Sequence, residues 1–373
     1  MKVVAAIDSF KGSMTSMEAG NAVKKGILAA KPDAEVWLSP LADGGEGTVD
    51  ALIEGLGAEK IPVTVAGPLG EKVSCYYGFL EETKSAVMEM ASAAGITLVI
   101  KKDPLRASTY GVGEMIADAL KRGCKNFMIG IGGSATNDGG IGMLKALGFE
   151  FFDEDGNDVG EGAAALAKIE VIRTENKNSL LSGAKFQIAC DVKNPLCGKQ
   201  GATYIFGPQK GVTEEQKSKV DEAMKHYADV TKESLGCDFA DCEGAGAAGG
   251  LGYAFLSYLA GELIPGVELI LQATGLEEKM KNADVVVTGE GRLDAQTVMG
   301  KAPVGVAALA KKYNAKVIAF AGSVAPEASV CNQAGIDAFF PIVRGVTTLE
   351  EAMKKENAME NIAATAEQVF RLL

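Results

Sequence analysis

A strand, a polar glycine-containing loop and a helix follow one another near both ends of the chain. At the start, the strand KVVAAI leads through DSFKGSMT into an amphipathic helix to about Ala30, and Thr15 and Glu18 fit a capping box. Toward the other end, ADVVVTGEGRLDAQTVMGKAPVGVAALAKKY repeats this order. AEVWLSP, AKVIAFAGSV and IDAFFPIV add strands, and TVDALIEGLG adds a helix that ends at a glycine. The alternation predicts an α/β fold whose parallel sheet is covered by helices.

The middle of the chain has a different texture and indicates a second domain. A chain of 373 residues exceeds the size at which a single hydrophobic core usually stops growing. We therefore expect one discontinuous α/β domain from residues 1–65 and 283–373, with a second α/β domain, residues 66–282, inserted in it. Within the insert, GAGAAGGLGYAFL is either a flexible linker or a loop entering a packed helix, and the apolar residues that follow favour the helix at least equally.

Composition excludes several classes of function. A formal net charge of -12 argues against a nucleic-acid or anionic-membrane surface, and no apolar run is long enough to span a membrane. The seven cysteines form no CxxC pair, and the first residues run directly into a strand rather than a targeting segment, so we expect a cytoplasmic protein. The one histidine, His226, lies in a charged helical stretch, where a solvated helix face is far more common than a catalytic role. Acid–base or metal chemistry is therefore expected from Asp, Glu and Lys.

Ligands of open α/β sheets bind where strands end and helices begin, and the loop GIGGSATNDGG, residues 130–140, is the clearest candidate. Gly132 and Gly133 would let the backbone approach an anion, and Ser134, Thr136 and Asn137 could add donors. The loop matches neither the GxxxxGK[ST] nor the GxGxxG spacing. A tight strand-to-helix turn explains the glycines about as well as phosphate binding does.

Two further loops carry chemistry-bearing side chains after apolar strands. DSFKGS contains Ser9 and Lys11 beside a helix start, although an isolated lysine is more often a solvated surface residue. GEGRLD contains Glu290, Arg292 and Asp294, and carboxylates beside glycines in this position commonly hold magnesium. Helix capping is an equal alternative for Asp294.

The remaining candidates are also carboxylates. Asp191, in ACDVKNPLCG, ends an apolar strand and is well placed for a general base, although an Asx turn before Pro195 could equally explain it. In PLADGGEGTVDA, Asp43 is expected to face the site, whereas Glu46 could equally complement the dipole of the following helix.

Seven segments taken together resemble the bacterial class I glycerate kinases, in order and over essentially the whole chain. These are AIDSFKGSMTSMEAGNAVKKGI, PLADGGEGTVDAL, STYGVGEMI, GIGGSATNDGG, CDVKNPLCG, GAGAAGGLGYA and VVVTGEGRLDAQTVMGKAPVGVA. The resemblance implies a flavodoxin-like domain built from both termini, with a distinct α/β domain inserted in it. It also implies ATP-dependent phosphorylation of D-glycerate to 2-phosphoglycerate, with 3-phosphoglycerate as the alternative product.

Residue roles follow mainly from the chemistry of phosphoryl transfer, which requires positioning and charge neutralisation. We expect MgATP and glycerate to bind in the cleft between the domains. For ATP and its metal ion, we expect residues 132–137 to cradle the phosphates and Glu290 and Asp294 to hold Mg²⁺, while Lys11 neutralises a phosphate or the glycerate carboxylate. For glycerate, we expect Ser9 and Arg292 to contact the substrate and Asp191 to act as the base. Asp43 is expected to orient glycerate hydroxyls or magnesium-bound water.

Two other classes of protein could use the same loops. A regulatory protein that binds nucleotides or sugar phosphates would need the glycines but fewer carboxylates beside them. A nicotinamide-dependent dehydrogenase would need the GxGxxG signature that the sequence lacks. The expected partners are the small-molecule substrates, without nucleic acid or membrane, and a homo-oligomer stays open.

Overall fold

The computed structural model describes residues 1–41 and 48–373, which form two compact units. Among the described residues, the first unit contains 1–41, 50–57 and 267–373, and the second contains 48–49 and 58–266. No helix in these ranges is long and apolar enough to cross a lipid bilayer.

The strands and helices alternate along most of the chain. The strands are β1 (Lys2–Ile7), β2 (Glu35–Pro40), β3 (Glu59–Ala66), β4 (Lys72–Leu80), β5 (Ser85–Glu89), β6 (Asn126–Gly130), β7 (Glu150–Phe152), β8 (Val171–Arg173), β9 (Lys185–Ala189), β10 (Glu262–Ile264), β11 (Val285–Leu293), β12 (Lys316–Val324) and β13 (Ala338–Pro341). The helices are α1 (Ser16–Ala30), α2 (Thr48–Leu56), α3 (Ala91–Ala94), α4 (Tyr110–Lys121), α5 (Ile141–Ala146), α6 (Ala163–Leu166), α7 (Ala202–Lys210), α8 (Glu214–Leu235), α9 (Leu251–Leu259), α10 (Gly266–Ala273), α11 (Leu276–Met280), α12 (Ala302–Lys311), α13 (Val330–Gln333), α14 (Leu349–Met353) and α15 (Lys355–Arg371).

The sheet of the first unit is parallel throughout, in the order β13-β12-β11-β1-β2. Read along the chain, this is the 2-1-3-4-5 order of flavodoxin-like folds, so the predicted fold class is confirmed. The strand order reverses between β1 and β11, and ligands of such sheets bind outside the carboxyl ends of the strands at that point. The sheet therefore offers a binding position beside the loops that follow β1 and β11.

Helix α1 begins and packs as its sequence predicts. The Thr15 side chain accepts a hydrogen bond from Glu18 N, and the Glu18 side chain accepts one from Thr15 N, which confirms the capping box. The helix packs closely against α15, because a Cβ on Gly26 would overlap the carbonyl oxygen of Ala363. Only glycine permits this approach of the two helices.

The sheet of the second unit is mixed, in the order β10-β9-β6-β5-β4-β3. Strands β5, β6, β9 and β10 pair in parallel, as predicted. Strand β4, in contrast, pairs antiparallel with both of its neighbours, β3 and β5. The difference arises from the short connection between β3 and β4, where Gly67 N bonds to Glu71 O and Gly70 has φ +91°. Such a turn joins antiparallel strands, whereas parallel strands need a longer crossover.

The points along the chain at which one compact unit gives way to the other differ from the domain boundaries expected from sequence, which stay a prediction. The sequence predicts changes after residues 65 and 282, and among the described residues the units change after residues 49, 57 and 266. Strand β3 pairs along its whole length with β4 and so belongs to the insert. Helix α10 packs on α12 of the first unit, where a Cβ on Gly305 would overlap the Val267 side chain.

The glycine-rich segment after Cys242 is a packed loop rather than a linker. It leads into α9, whose residues Leu251, Tyr253 and Phe255 are buried. A Cβ on Gly249 would overlap the carbonyl oxygen of Thr136, so this segment lies directly against the loop at residues 130–140. The interpretation as a loop entering a packed helix is confirmed.

Candidate active site

A cavity of about 580 Å³ lies at the carboxyl ends of β1, β11 and β12 in the first unit. Its size falls within the range of small-molecule and cofactor sites. The structure brings together here four residues predicted from two loops, Ser9 and Lys11 after β1 and Glu290 and Arg292 at the end of β11. The polar residues lining the cavity are Asp8, Ser9, Lys11, Ser13, Glu290, Arg292, Lys301, Ser323, Thr347 and Thr348. Three cationic and two carboxylate side chains thus line one cavity.

The loop after β1 is held in place by both of its neighbouring strands. Asp8 N donates to Gly289 O of β11 at 2.9 Å, and Ser9 N donates to the Asp8 carboxylate at 2.6 Å. The Ser16 hydroxyl donates to Ile7 O and accepts a hydrogen bond from Leu41 N, which joins the ends of β1 and β2. The backbone near Lys11 is therefore fixed by hydrogen bonds, while the Lys11 side chain is exposed.

Glu290 is the most buried ionisable group of the cavity, with 7% of its surface exposed. Thr297 Oγ1 donates to Glu290 Oε1 at 2.7 Å, and Lys301 Nζ lies 3.6 Å from Glu290 Oε2. Burial raises the pKa of Glu290 above its ordinary value, while Thr297 and Lys301 lower it. The hydrogen bond and the ammonium favour the carboxylate form against that burial.

Asp294 extends the ion pair of Glu290 and Lys301 into a network of four charged side chains, which also includes Arg292. Lys301 Nζ lies 3.9 Å from Asp294 Oδ1, and Arg292 Nε lies 3.5 Å from Asp294 Oδ2. Gln296 N also donates to Asp294 Oδ1 at 2.9 Å, so the carboxylate closes a local turn as well. Lys301, at the N-cap of α12, therefore lies between two carboxylates.

The pair Glu290 and Asp294 fits a magnesium ion that is also bound by phosphate. Mg²⁺ is commonly held by one or two protein carboxylates, with water and substrate phosphates completing its coordination. The Lys301 ammonium already lies between the two carboxylates, which shows that this position favours a cation. In the part of the chain that the structure describes, no group of three or more His, Cys, Asp or Glu side chains could hold a metal ion.

In the second unit, the glycine loop follows β6, and Asp191 follows the parallel neighbour β9. Gly132 and Gly133 are exposed, whereas Ser134 is buried. Thr136 and Asn137 are fully buried, and Asn137 Nδ2 donates to Thr203 Oγ1 at 3.0 Å. In this structure, therefore, the first part of the loop is open to a ligand and the side chains of Thr136 and Asn137 are not.

A buried lysine and a buried aspartate hold the later part of this loop. Lys210 is 2% exposed, and its Nζ donates to Thr136 O at 2.7 Å. Asp138 is wholly buried and accepts hydrogen bonds from Thr109 N, Thr109 Oγ1, Gly140 N and Gly142 N. Burial lowers the pKa of Lys210 to about 7, and the charge of Asp138 raises it. Burial likewise raises the pKa of Asp138, against its hydrogen bonds.

Asp191 is exposed at the end of β9, and its Oδ1 accepts a hydrogen bond from Gly266 N at 2.9 Å. Its role as a base stays a prediction. Asp43 and Glu46 lie outside the described residues. His226 is partly exposed on α8, and its Nε2 lies 2.8 Å from Ile169 O, in agreement with a surface position.

Sequence reasoning missed Lys301 and Lys210. Lys301 stands in VMGKAP, where the signal was a lysine immediately before a helix that follows the GEGRLD loop. Lys210 ends α7 next to a glycine, which reads as an ordinary solvated helix end. Its burial depends on contacts between segments distant in sequence, so no local pattern indicates it.

The family model, the curated relatives and the solved structure described below are all glycerate kinases by name. The model of the glycerate kinase family matches residues 3–373. Glycerate kinase of Bacillus subtilis is 45% identical over 371 residues, covering 99% of this chain and 97% of the relative. Glycerate 2-kinase of Escherichia coli is 45% identical over 372 residues, covering 98% of each chain. A crystal structure from Salmonella typhimurium, assigned as glycerate kinase 2, superposes with a TM-score of 0.91 at 43% identity, covering 99% of this chain and 97% of that one.

Proposed function

The chain belongs to the glycerate kinase family, and from that premise we propose that it transfers a phosphoryl group from ATP to a hydroxyl of D-glycerate. The observation that carries the proposal is the meeting of Lys11, Arg292 and Lys301 with Glu290 at the strand switch point of the first unit. Phosphoryl transfer requires charge neutralisation and positioning rather than covalent chemistry by the protein. This set of side chains is suited to that task.

Each group of the cavity has a separate task in the proposed mechanism. Lys11 and Lys301 neutralise the negative charge of the phosphates, and Ser9 and Arg292 contact glycerate. Glu290 and Asp294 would hold Mg²⁺, and the ion would supply positive charge to offset that of the phosphates. Thr297 fixes the orientation of Glu290 through its hydrogen bond.

The second unit supplies the remaining groups. Asp191 accepts the proton of the attacking hydroxyl, since it is an exposed carboxylate at the end of a parallel strand. Gly132, Gly133 and Ser134 bind a phosphate through their backbone N–H groups, as the exposure of both glycines permits. Catalysis on this proposal requires both units, and Asp43, which precedes α2, stays a predicted contributor.

The proposed product is 2-phosphoglycerate, because a relative that is 45% identical is named as a glycerate 2-kinase. The test is incubation with MgATP and D-glycerate, followed by phosphorus–proton correlation NMR, which identifies the carbon that bears the phosphate. A phosphate coupled to the C2 proton is expected. Coupling to the C3 protons would instead establish the 3-kinase alternative. ATP consumption that does not depend on glycerate, with no phosphoglycerate formed, would reject the kinase proposal.

We also place the protein in a reducing compartment such as the cytoplasm. All seven cysteines lie in described positions and are free thiols. Intracellular reductants maintain this state, whereas oxidising compartments favour disulfides.

A further inference from the structure

The cavity of the first unit has two chemically different walls. The charged wall carries Lys11, Arg292 and Lys301. The other wall is apolar and comes from the segment after β13, where Ile342, Val343, Leu349, Ala352 and Met353 line the cavity. Phosphoryl transfer needs only the charged wall, so the apolar wall requires another explanation.

The apolar wall is open to solvent in places where burial would be favourable. Leu349 is 76% exposed and Met353 is 37% exposed, although both line a concave surface. Burying such side chains removes apolar area from water, at about 25 cal/mol per Å². An occupant with an apolar face would gain this free energy, whereas a wholly polar occupant would not.

The two walls are contiguous, so a single ligand can contact both. A Cβ on Gly12 would lie 3.0 Å from the Met353 Cε methyl, which places the tip of Met353 against the Lys11 loop. Gly291 of β11 also lines the cavity and lies against the same loop, because a Cβ on Gly291 would be in van der Waals contact with Phe10 Cα and Lys11 N, at 3.8 and 3.9 Å. The ligand therefore needs an apolar part joined directly to an anionic part.

We propose that this cavity is the nucleotide site, with the purine ring of ATP on the apolar wall and its phosphates toward Lys11 and Lys301. A purine nucleotide combines a flat apolar ring with a polyphosphate, and the cavity of about 580 Å³ has the size of a cofactor site. Glycerate is small and polar and leaves the apolar wall uncovered. A purely apolar ligand leaves the cations without a partner on the ligand.

This assignment rests on the proposed kinase function and goes beyond it. It places adenine recognition in the terminal unit, on the segment from Ile342 to Met353. The glycine loop of the second unit then contacts at most the phosphates, and the base depends on Leu349 and Met353.

The test uses the full-length double variant Leu349→Ala, Met353→Ala, with Met299→Ala as the matched control. Met299 is 82% exposed and does not line the cavity. Binding of ADP carrying a fluorescent label on the ribose is measured without glycerate, and KM values for ATP and glycerate are measured separately. The double variant should bind the labelled ADP at least tenfold more weakly and raise KM for ATP by a similar factor. KM for glycerate and the melting temperature should change little, and Met299→Ala should resemble the parent.

The outcomes separate this inference from the function on which it rests. Unchanged ADP affinity in a folded double variant would overturn the nucleotide assignment, even if glycerate is phosphorylated normally. An increase confined to KM for glycerate would overturn it in favour of a glycerate site. Absence of any phosphoglycerate with the parent protein would instead reject the kinase function, and ADP binding would still report on the cavity.

A second variant tests the cavity without removing atoms. Ala352→Phe places a ring in the cavity from a half-buried position of α14. It should weaken ADP binding by steric exclusion while the protein stays folded. Normal ADP binding by this variant would also contradict the proposal.

Discussion

At the scale of single residues, Lys11 is the cation of the cavity whose removal should least affect the fold. Its side chain is exposed, and the surrounding loop is held by backbone hydrogen bonds from Asp8 and Ser9. If Lys11 neutralises phosphate charge, Lys11→Ala should lower kcat by ~10²-fold or more, the scale of removing one preorganised donor. Steady-state kinetics with saturating ATP and glycerate measure the effect.

The control for this prediction is Lys25→Ala, which removes an exposed lysine of α1 outside the cavity. Both variants should melt close to the parent, because exposed substitutions seldom change stability by more than about 0.5 kcal/mol. A folded Lys11→Ala enzyme with near-normal turnover would reject the role of Lys11.

Asp191 gives a second prediction at this scale. Asp191→Asn retains an oxygen that can accept the hydrogen bond from Gly266 N but cannot take a proton from glycerate. We expect kcat to fall by about 10²–10⁴-fold, the usual contribution of a general base, with ADP affinity nearly unchanged. Loss of nucleotide affinity with normal turnover at saturation would instead identify Asp191 as a nucleotide or metal ligand.

Residues at strand ends were predictable, and residues placed by turns were not. Ser9, Lys11, Glu290 and Arg292 meet at one cavity because β1 and β11 are parallel neighbours whose carboxyl ends share an edge. Lys301 reaches Glu290 only because the turn that contains Thr297 returns the chain to that edge. The geometry of such a turn is set by its hydrogen bonds, which the residue pattern does not specify.

At the scale of elements, the glycine loop after β6 is held by the buried side chain of Lys210, which ends α7. Lys210→Met removes the hydrogen bond to Thr136 O and leaves that carbonyl without its buried donor. This should cost about 1–3 kcal/mol. The same change also removes a titrating group, so its effect on stability should depend on pH.

The sign of that dependence follows from the lowered pKa of Lys210, about 7. Between this value and the ordinary lysine value of 10.5, the unfolded chain binds more protons than the folded protein. The contribution of Lys210 to the free energy of unfolding therefore rises as the pH rises through this window. The melting temperature of the parent, relative to Lys210→Met, should increase between pH 6.5 and pH 9.

Thermal unfolding of parent and variant across this pH range measures the difference. The exposed α8 variant Lys219→Met is the control and should show no such trend. A stability difference between the parent and Lys210→Met that is independent of pH would show that Lys210 does not titrate in this window. Far-UV circular dichroism at each pH checks that the variant is folded.

The elements themselves were mostly predictable, since apolar runs and glycine stops mark their ends. Helix α2 ends at Leu56, and Gly57 follows it with φ +68°. Strands β3 and β4 departed from the expected parallel sheet because Gly67 and Gly70 form a turn whose type the alternation of strands and helices does not reveal.

At the scale of the whole molecule, the insert should be a folding unit in its own right. Its core contains Tyr77, Phe127 and Tyr227, and its six-stranded sheet consists only of its own strands, β3 to β6, β9 and β10. The inserted domain and its start at residue 66 stay predictions from the sequence, in which β3 by itself reads equally well as a strand of either sheet. Only the pairing of Glu59–Ala66 with β4 assigns it to the insert.

This assignment predicts how two fragments will differ in stability. A fragment of residues 58–266 should unfold cooperatively and give well-dispersed amide resonances, since it keeps the paired edge strand. A fragment of residues 66–282, with the boundaries expected from sequence alone, loses nearly all of β3 and the burial of Ile61 and Val65. It also gains α10 and α11 without the α12 surface on which α10 packs.

Removing two buried aliphatic side chains of this size should cost at least ~3 kcal/mol. The fragment of residues 66–282 should therefore melt well below the fragment of residues 58–266 in thermal unfolding. Equal stability of the two fragments would show that β3 contributes little to the insert, and that the boundary lies where the sequence pattern put it.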